Sequence, residues 1–386
     1  MPSRFEILLL SLAGFASMAS MRLCDAMLPA LGATFGVEAA AASGAISAFA
    51  IAYGVLQIVY GPLGDRFGKP LVVGVAAILC GMGAVGGAMS TTLSMLVLSR
   101  AAMGAAAGGI IPLTMAWLAD QVPQSERQVV LARLLTYTVA GMMVGSWAGG
   151  MASETIGWRS AFAIAASGFV AIGVLVFVRA RARPRSSHAG LSHLGRFRSV
   201  LSTVWARQLL LVTFAEGALV FGALAFLPVL LHERFGLPLS ASGGILALFG
   251  VGGVVYSRSA RWLLCRMQPS GLAIGGGVLL CVSFLVIASM NHWAWSPVAA
   301  FAAGCGFYML HNTLQTCGAS LSSTARGTAV SLFVCALFIG QSAGVTAAAW
   351  VAAHGLMNEW YAVAGPALLA LALVFAAARP IEEDSR

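Results

Sequence analysis

Several ionisable side chains lie inside long apolar stretches of the sequence, where a charge is costly. Arg22 and Asp25 are three residues apart and therefore share one face of a helix. Arg100, Glu216 and His311 lie in other apolar stretches. Such residues usually pair with one another or face a cavity, and they mark ion or substrate pathways. This set therefore predicts proton transfer or ligand binding within a membrane.

Two carboxylates in these stretches have different predicted surroundings. Asp25 can be held ionised by Arg22 or by Arg100, which lies about 10 Å deep in its own helix by the helix rise. We expect Asp25 and Arg100 to lie within ion-pair or single-water reach. Glu216 has no evident partner, and an isolated carboxylate in a dry site favours its neutral form. We therefore predict Glu216 as the proton carrier, with Asp25 as the alternative.

Other polar side chains in the apolar stretches are candidates for a substrate cavity. His311 lies beside two amides, and it either lines the pathway or makes a hydrogen bond that stabilises helix packing. The candidate cavity residues are Arg22, Tyr53, His311, Asn312, Gln315 and Gln341.

Composition indicates how these residues are positioned. The 386 residues are 59% hydrophobic and 9% charged, whereas an average soluble domain is about 25% charged. A soluble fold of this size could not cover so much apolar surface. The sequence contains twelve apolar stretches, each close in length to the ~20 residues that a helix needs to cross a bilayer. They cover residues 7–28, 43–61, 70–89, 93–119, 129–151, 160–178, 208–231, 240–257, 271–290, 295–317, 327–350 and 357–377.

The basic residues predict the orientation in the membrane. The loops and tails on one predicted side hold most of the 22 Lys and Arg residues, whereas Arg159 and Arg234 lie on the other. The positive-inside rule therefore places both termini in the cytoplasm. The formal charge of +9 is then an orientation signal, and we expect no nucleic-acid partner.

A basic polar stretch at 179–207 divides the chain into predicted six-helix bundles at 1–178 and 208–386. The two bundles share a sequence pattern at their fifth helices. In each bundle an arginine precedes the fifth helix, and glycines follow it 14 and 18 residues later, within that helix. The matched sets are Arg127, Gly141 and Gly145, and Arg326, Gly340 and Gly344. Repeated halves are typical of transporters. The predicted fold is an all-α membrane protein with twelve transmembrane helices in two pseudo-repeat bundles.

Residues 61–70, with the sequence GPLGDRFGKP, form a charged turn between the second and third stretches. This segment resembles the signature loop of the major facilitator superfamily, with Pro70 where the family often has a second base. The resemblance implies the major facilitator fold and a conformational latch that joins the two bundles in the outward-open state. The residues that it assigns to the latch are Gly61, Asp65, Arg66, Gly68, Lys69 and, at the end of the fourth helix, Asp120.

Two further segments resemble motifs of this family. Arg100 to Gly104 resembles a fourth-helix motif whose arginine is tied to proton coupling, although Met103 replaces the common glutamine. The alternative for Arg100 is a structural pair with Asp25. The fifth helix resembles the antiporter signature, with Ser146 in place of the usual proline; its glycines are Gly141, Gly145, Gly149 and Gly150. The alternative for this segment is plain helix packing, which has no bearing on transport direction.

The family resemblance implies secondary transport by alternating access, without enzymatic chemistry. We predict proton-coupled efflux of a small organic molecule across a bacterial inner membrane, and proton-coupled uptake of a metabolite is the alternative. A membrane sensor is disfavoured because the linker and tails are short. We expect a functional monomer with no cofactor, because no phosphate-binding glycine loop is present, and no metal site or disulfide, because the seven cysteines include no Cys-x-x-Cys pair.

Overall fold

The computed structural model describes residues 3–181, 198–322 and 326–379, and the regular structure in these ranges is entirely helical. Residues 182–197, within the predicted linker 179–207, lie outside the described residues. Twelve long helices are numbered α1 to α12 in chain order. They are Arg4–Phe35, Ala39–Phe67, Lys69–Ala88, Leu93–Gln121, Gln124–Thr155, Trp158–Arg181, Val204–Phe235, Leu239–Leu264, Pro269–Ser289, Ser296–Ser320, Arg326–Ala353 and Met357–Ala378.

Eleven of these helices are long and apolar enough to cross a membrane. The other is α10, which has 25 residues but carries His311, Asn312 and Gln315 in its second half. Helix α8, predicted as a short stretch at 240–257, extends over 26 residues from Leu239 to Leu264. The predicted all-α membrane fold is therefore confirmed, and the helices of the described residues are consistent with the predicted count of twelve.

The two halves of the chain place equivalent glycines at equivalent helix ends. Helix α1 is followed by Gly36 with φ 66°, and α7 is followed by Gly236 with φ 67°. A residue in this left-handed conformation ends a helix, and glycine adopts it without a steric penalty. We call the side of the membrane on which α1 begins the inner side, and the side on which it ends the outer side. That the inner side faces the cytoplasm is the prediction from the arginine distribution.

The repeated glycines of α5 and α11 pack directly on neighbouring backbones. A Cβ atom at Gly141 would lie 2.3 Å from the carbonyl oxygen of Phe15 in α1. One at Gly340 would lie 2.0 Å from the carbonyl oxygen of Phe214 in α7. Small residues at such contacts allow helix backbones to approach closely. Helix α5 thus packs on α1 as α11 packs on α7, which agrees with the repeat in the sequence.

Most of the segment 61–70 is helical, although the sequence suggested a turn between helices. Helix α2 continues to Phe67, and α3 begins at Lys69. Only Gly68 turns the chain, with φ 94°, in a conformation that few other residues adopt. Asp65 therefore lies in the last turn of α2, and its position depends on the helix rather than on a flexible loop.

The two halves meet along α2 with α11 and along α5 with α8. Near the outer side, the Thr346 hydroxyl donates to that of Ser47 at 3.3 Å. Deeper in the membrane, the rings of Tyr53 and Phe338 lie 4.5 Å apart. The hydrogen bond between Thr346 and Ser47 joins the halves on the outer side, so this conformation is closed there.

Candidate functional site

Helix α1 changes its geometry at the depth of the outer charged residues. It is α-helical over Arg4–Arg22, forms a 3-10 turn over Asp25–Met27 and becomes α-helical again at Leu28. Such a change disturbs the regular backbone hydrogen bonds: the Ser20 carbonyl accepts from the Leu23 N–H at a long 3.4 Å, so carbonyl groups just before the change can take further partners. In a membrane these partners must come from the protein itself.

The fully buried guanidinium of Arg100 supplies these partners. Its Nη1 atom donates to the Ser20 carbonyl at 2.8 Å, and its Nη2 atom donates to the Met21 carbonyl at 3.3 Å. Its Nε atom donates to the Ala45 carbonyl in α2 at 3.2 Å. The guanidinium carbon also lies 4.3 Å from the centre of the Phe49 ring. Arg100 therefore ties α4 to the backbones of α1 and α2.

Asp25 pairs with Arg22 rather than with Arg100. The Arg22 Nη1 atom lies 2.9 Å from Asp25 Oδ2, and the two side chains are 3% and 0% exposed. Of the two arrangements expected for Asp25 and Arg100, the direct ion pair is absent in this conformation, and reach through a single water stays a prediction; the charge of Arg100 still acts on Asp25 electrostatically. The physical reason is that the helix spacing brings Arg22 to Asp25, while the donors of Arg100 are used by carbonyl groups.

Arg22 also reaches the second half of the protein. Its guanidinium carbon lies 4.9 Å from the centre of the Phe221 ring in α7. A small cavity between the halves is lined by Arg22, Met142, Met143, Ser146, Leu246, Ala247, Phe249 and Gly250. The Ser146 hydroxyl donates to the Met142 carbonyl at 3.1 Å within α5. Arg22 thus contributes the charged group of this cavity lining.

Glu216 and His311 form a second buried site, deeper in the membrane. The Nδ1 atom of His311 lies 3.0 Å from Oε2 of Glu216, with the side chains 12% and 0% exposed. The expectation that Glu216 has no partner is therefore wrong. Among the described residues the other carboxylate oxygen, Oε1, has no hydrogen-bond partner. The pair can share a proton between its two members and exchange it through the more exposed histidine.

Aromatic rings connect the two charged sites. The His311 ring stacks on Phe307, with centroids 4.9 Å apart and planes at 12°. Phe307 in turn lies 5.4 Å from Phe221, whose ring contacts the guanidinium of Arg22. The four-residue spacing of Phe307 and His311 predicts that they share a helix face. The contact to Phe221 crosses between helices and could not be read from the sequence.

The remaining candidate cavity residues are not gathered into one site. Tyr53 is buried against Phe338 of the other half. Gln341 is 1% exposed, and its Oε1 atom has no partner among the described residues. Asn312 is half-buried and Gln315 is exposed.

The predicted latch residues are partly paired on the inner side. Lys69 forms an ion pair with Asp120, and both belong to the first half. Arg66 lies against the ring of Phe67, with 5.1 Å from its guanidinium carbon to the ring centre. Asp65 is exposed. The contact between Lys69 and Asp120 is present, whereas the role of these residues as a latch remains a prediction.

The glycines of the fifth helix face two different partners. Gly145 and Gly149 pack on α1 in the manner of Gly141, and a Cβ atom at Gly149 would lie 2.1 Å from the Leu23 carbonyl oxygen. A Cβ atom at Gly150 would lie 2.1 Å from the carbonyl oxygen of Leu239, at the start of α8. This motif therefore brings α5 close both to its own half and to the other half.

Glu154 is a functional candidate that the sequence did not suggest. Its carboxylate accepts hydrogen bonds from the backbone N–H groups of Leu239 and, at 3.2 Å, Ser240. These groups begin α8, where no side chain of that helix provides a cap. A carboxylate is favourable at a helix N-terminus, so Glu154 helps to hold the two halves together on the outer side.

Comparison with known proteins gives a family match over most of the chain. The model of the Major Facilitator Superfamily matches residues 10–345. An uncharacterized MFS-type transporter of Bacillus subtilis, YceJ, is 23% identical over 341 residues, which cover 85% of this chain and 84% of YceJ. The 4-hydroxybenzoate transporter PcaK of Pseudomonas aeruginosa is 25% identical over 278 residues, which cover 62% of this chain and 61% of PcaK.

Solved structures share the fold at low sequence identity. The nucleoside transporter NupG aligns with a TM-score of 0.78 and 14% identity, over 98% of this chain and 99% of NupG. A bacterial homologue of the human lysosomal transporter Spinster, in an inward-facing conformation, aligns with a TM-score of 0.74 and 16% identity, over 98% of this chain and 96% of that one.

Proposed function

This chain belongs to the major facilitator superfamily, and we propose that it exports a small organic molecule across a bacterial inner membrane in exchange for protons. It is a multi-pass membrane transport protein, not an enzyme. In the proposed cycle a functional monomer has both termini in the cytoplasm. Its two six-helix bundles rock about a central site that opens to each side in turn.

The buried pair of Glu216 and His311 supports proton coupling more than any other feature. A carboxylate and an imidazole 3.0 Å apart, on helices α7 and α10, can hold one proton more or one proton fewer. The second oxygen of Glu216 is buried without a partner among the described residues, so an added proton relieves the cost of burying a charge. We propose that His311 relays this proton between Glu216 and the pathway.

Coupling follows if the substrate and the proton compete for the same state of the site. A substrate that binds when the pair has lost its proton leaves in exchange for the next proton. The ring contacts from His311 through Phe307 to Phe221 and Arg22 provide a packed connection between the proton site and the cavity.

The glycines of α5 support export, because their segment resembles the antiporter signature of the family. Ser146 stands where that signature has proline. Without the proline, the helix bends differently at this motif. We therefore keep proton-coupled uptake as the second candidate. Both directions use the same fold and the same proton site.

A transport assay with an imposed pH gradient tests the proposal. Purified protein is placed in proteoliposomes with a pH-sensitive dye, and small organic molecules, including 4-hydroxybenzoate, are screened for substrate-dependent proton movement in both directions. Proton movement opposite to substrate movement is the expected result. Movement of both in the same direction supports uptake, and substrate movement without protons contradicts the coupling.

The variants Glu216→Gln and Asp25→Asn identify the proton carrier. Glutamine mimics the protonated form of Glu216, so this variant should retain exchange of substrate for substrate but lose accumulation driven by the pH gradient. If Glu216→Gln still couples fully, and folded Asp25→Asn exchanges substrate but does not couple, Asp25 is the carrier instead.

A further inference from the structure

We infer that the substrate is an organic carboxylate and that Arg22 binds its carboxylate group in the cavity between the two halves. This inference depends on the proposed transport of a small molecule and names the chemical class of that molecule. It does not depend on the identity of the proton carrier, but it bears on direction: an anion binds more favourably when the pair of Glu216 and His311 holds its extra proton, which favours the uptake candidate.

The first observation is that Arg22 has unused hydrogen-bond donors. A guanidinium carries five N–H donors in a planar fork that matches a carboxylate. With the described residues Arg22 makes one hydrogen bond, from Nη1 to Asp25. None of its nitrogens is both fully buried and unpartnered. Arg22 is 2% exposed and lines the cavity, so its remaining donors are close to a ligand bound there.

The second observation is a charge imbalance around Arg22. Arg22 and Arg100 both act electrostatically on Asp25, so two buried cations accompany one buried carboxylate. The hydrogen bonds of Arg100 go to backbone carbonyls and a serine hydroxyl, none of which carries a charge. Glu216 is paired with His311, and Glu154 binds the start of α8. A buried charge without a counter-ion is costly, and a bound anion would remove that cost.

The third observation is the character of the rest of the cavity. Apart from Arg22 and Ser146, its lining is apolar, with methionine side chains from α5 and Leu246 and Phe249 from α8. The hydroxyl proton of Ser146 is donated to a backbone carbonyl. Such a lining suits a ligand with one anionic group and an apolar body; the cavity encloses about 210 Å³ in this conformation, which is smaller than most ligand sites, so the whole ligand fits only when the two halves move apart. Because the lining comes from both halves, this ligand would contact both of the parts that move in alternating access.

A cationic substrate fits this cavity less well. One oxygen of Asp25 is paired with Arg22, and the other is fully buried. A cation would therefore meet the guanidinium of Arg22 before it reached the carboxylate. Like charges at close range in a membrane interior repel strongly, because the surroundings screen them poorly.

Binding to the purified protein in lipid nanodiscs, without a pH gradient, tests this inference. The probes are 4-hydroxybenzoate, benzoate and hexanoate, each compared with the alcohol and the amine of the same carbon skeleton. We expect at least one of the carboxylates to raise the melting temperature of the wild type, and its alcohol and amine to have no effect. Arg234→Gln is the matched control, because Arg234 is an outer-side arginine that binds Asn358, away from the cavity.

Two variants separate binding from folding. The double variant Arg22→Gln with Asp25→Asn removes the pair without leaving a lone charge, and it should raise the Kd of the carboxylate at least about tenfold, as expected for a lost charged hydrogen bond. Arg22→Lys keeps the charge but loses the planar fork, and it should give a smaller increase. Size-exclusion chromatography and the melting temperature without ligand confirm that each variant is folded.

Three results would overturn the inference: no carboxylate stabilises the wild type, an alcohol or amine stabilises it equally, or the folded double variant binds as tightly as the wild type. The proton-coupling test with Glu216→Gln uses a pH gradient, whereas this test is made at equilibrium. If the coupling test fails, the binding test can therefore still be interpreted, and the reverse also holds.

Discussion

The two buried charged sites differ in what holds them in place. In the outer site, Arg100 is bound to three backbone carbonyls, and Arg22 is paired with Asp25 from the same helix. In the deeper site, Glu216 and His311 come from different helices and meet through one contact of 3.0 Å. The outer site is therefore part of the framework of the first half, whereas the deeper site depends on the arrangement of α7 and α10.

This difference suggests a division of roles. A guanidinium stays charged at all physiological pH values, so the outer site supplies a constant positive charge. The imidazole and carboxylate of the deeper site can change their charge with one proton. We therefore expect substitutions in the outer site to affect stability and ligand binding, and those in the deeper site to affect coupling.

Removing Arg100 should produce the largest effect. Arg100→Gln removes the hydrogen bonds that a charged group donates to buried carbonyls of α1 and α2, at about 1.5–3 kcal/mol for each, a large share of a typical stability of about 5–15 kcal/mol. We expect little folded protein, which size-exclusion chromatography and thermal unfolding in detergent measure. Arg159→Gln is the control, since it removes one hydrogen bond to the Ser90 carbonyl. Equal stability of the two variants would contradict a structural role for Arg100.

Breaking the Arg22 pair should have the next largest effect. Asp25→Asn alone leaves a buried guanidinium unpaired, and breaking a buried pair in this way costs about 3–5 kcal/mol. The double variant Arg22→Gln with Asp25→Asn should be more stable than Asp25→Asn alone, because no lone charge remains. A thermodynamic cycle of the two single variants and the double variant measures this difference. Additive effects would show that the two side chains do not interact.

His311→Gln should impair coupling while changing stability little. Glutamine can still donate a hydrogen bond to Glu216 but cannot accept a second proton as histidine does. We expect accumulation driven by a pH gradient to fall about tenfold or more, while exchange of substrate for substrate continues. His354→Gln, at an exposed position, is the control. Full coupling by His311→Gln would assign the relay to another group.

Glu154→Gln should have the smallest effect and should leave both charged sites intact. It removes the negative charge at the start of α8, worth about 0.3–1 kcal/mol at a helix end. The conformation that is closed on the outer side should then be populated less. Distances between spin labels at the outer ends of α5 and α8 would show a longer component. An unchanged distance distribution would mean that Gly150 and its neighbours hold this contact without Glu154.

The sequence by itself determined the membrane fold and the positions of the ionisable residues along it. Helix length and apolar composition decide which segments span a bilayer, because an unpaired backbone group in lipid is too costly for other solutions. The paired glycines of α5 and α11 likewise indicated a repeat, and the spacing of Arg22 and Asp25 on one helix made Arg22 one of the two partners considered for Asp25.

The partners of the remaining charges were decided only by the tertiary structure. Arg100 was expected within ion-pair or single-water reach of Asp25, but its Nη atoms donate to the carbonyl groups of Ser20 and Met21, in the last α-helical turn before the 3-10 turn of α1. Glu216 and His311 are 95 residues apart, and their contact depends on how α7 packs against α10. Hydrophobic patterns specify which face of a helix is buried, but they do not specify which buried side chains meet, because that depends on helix rotation and crossing angle.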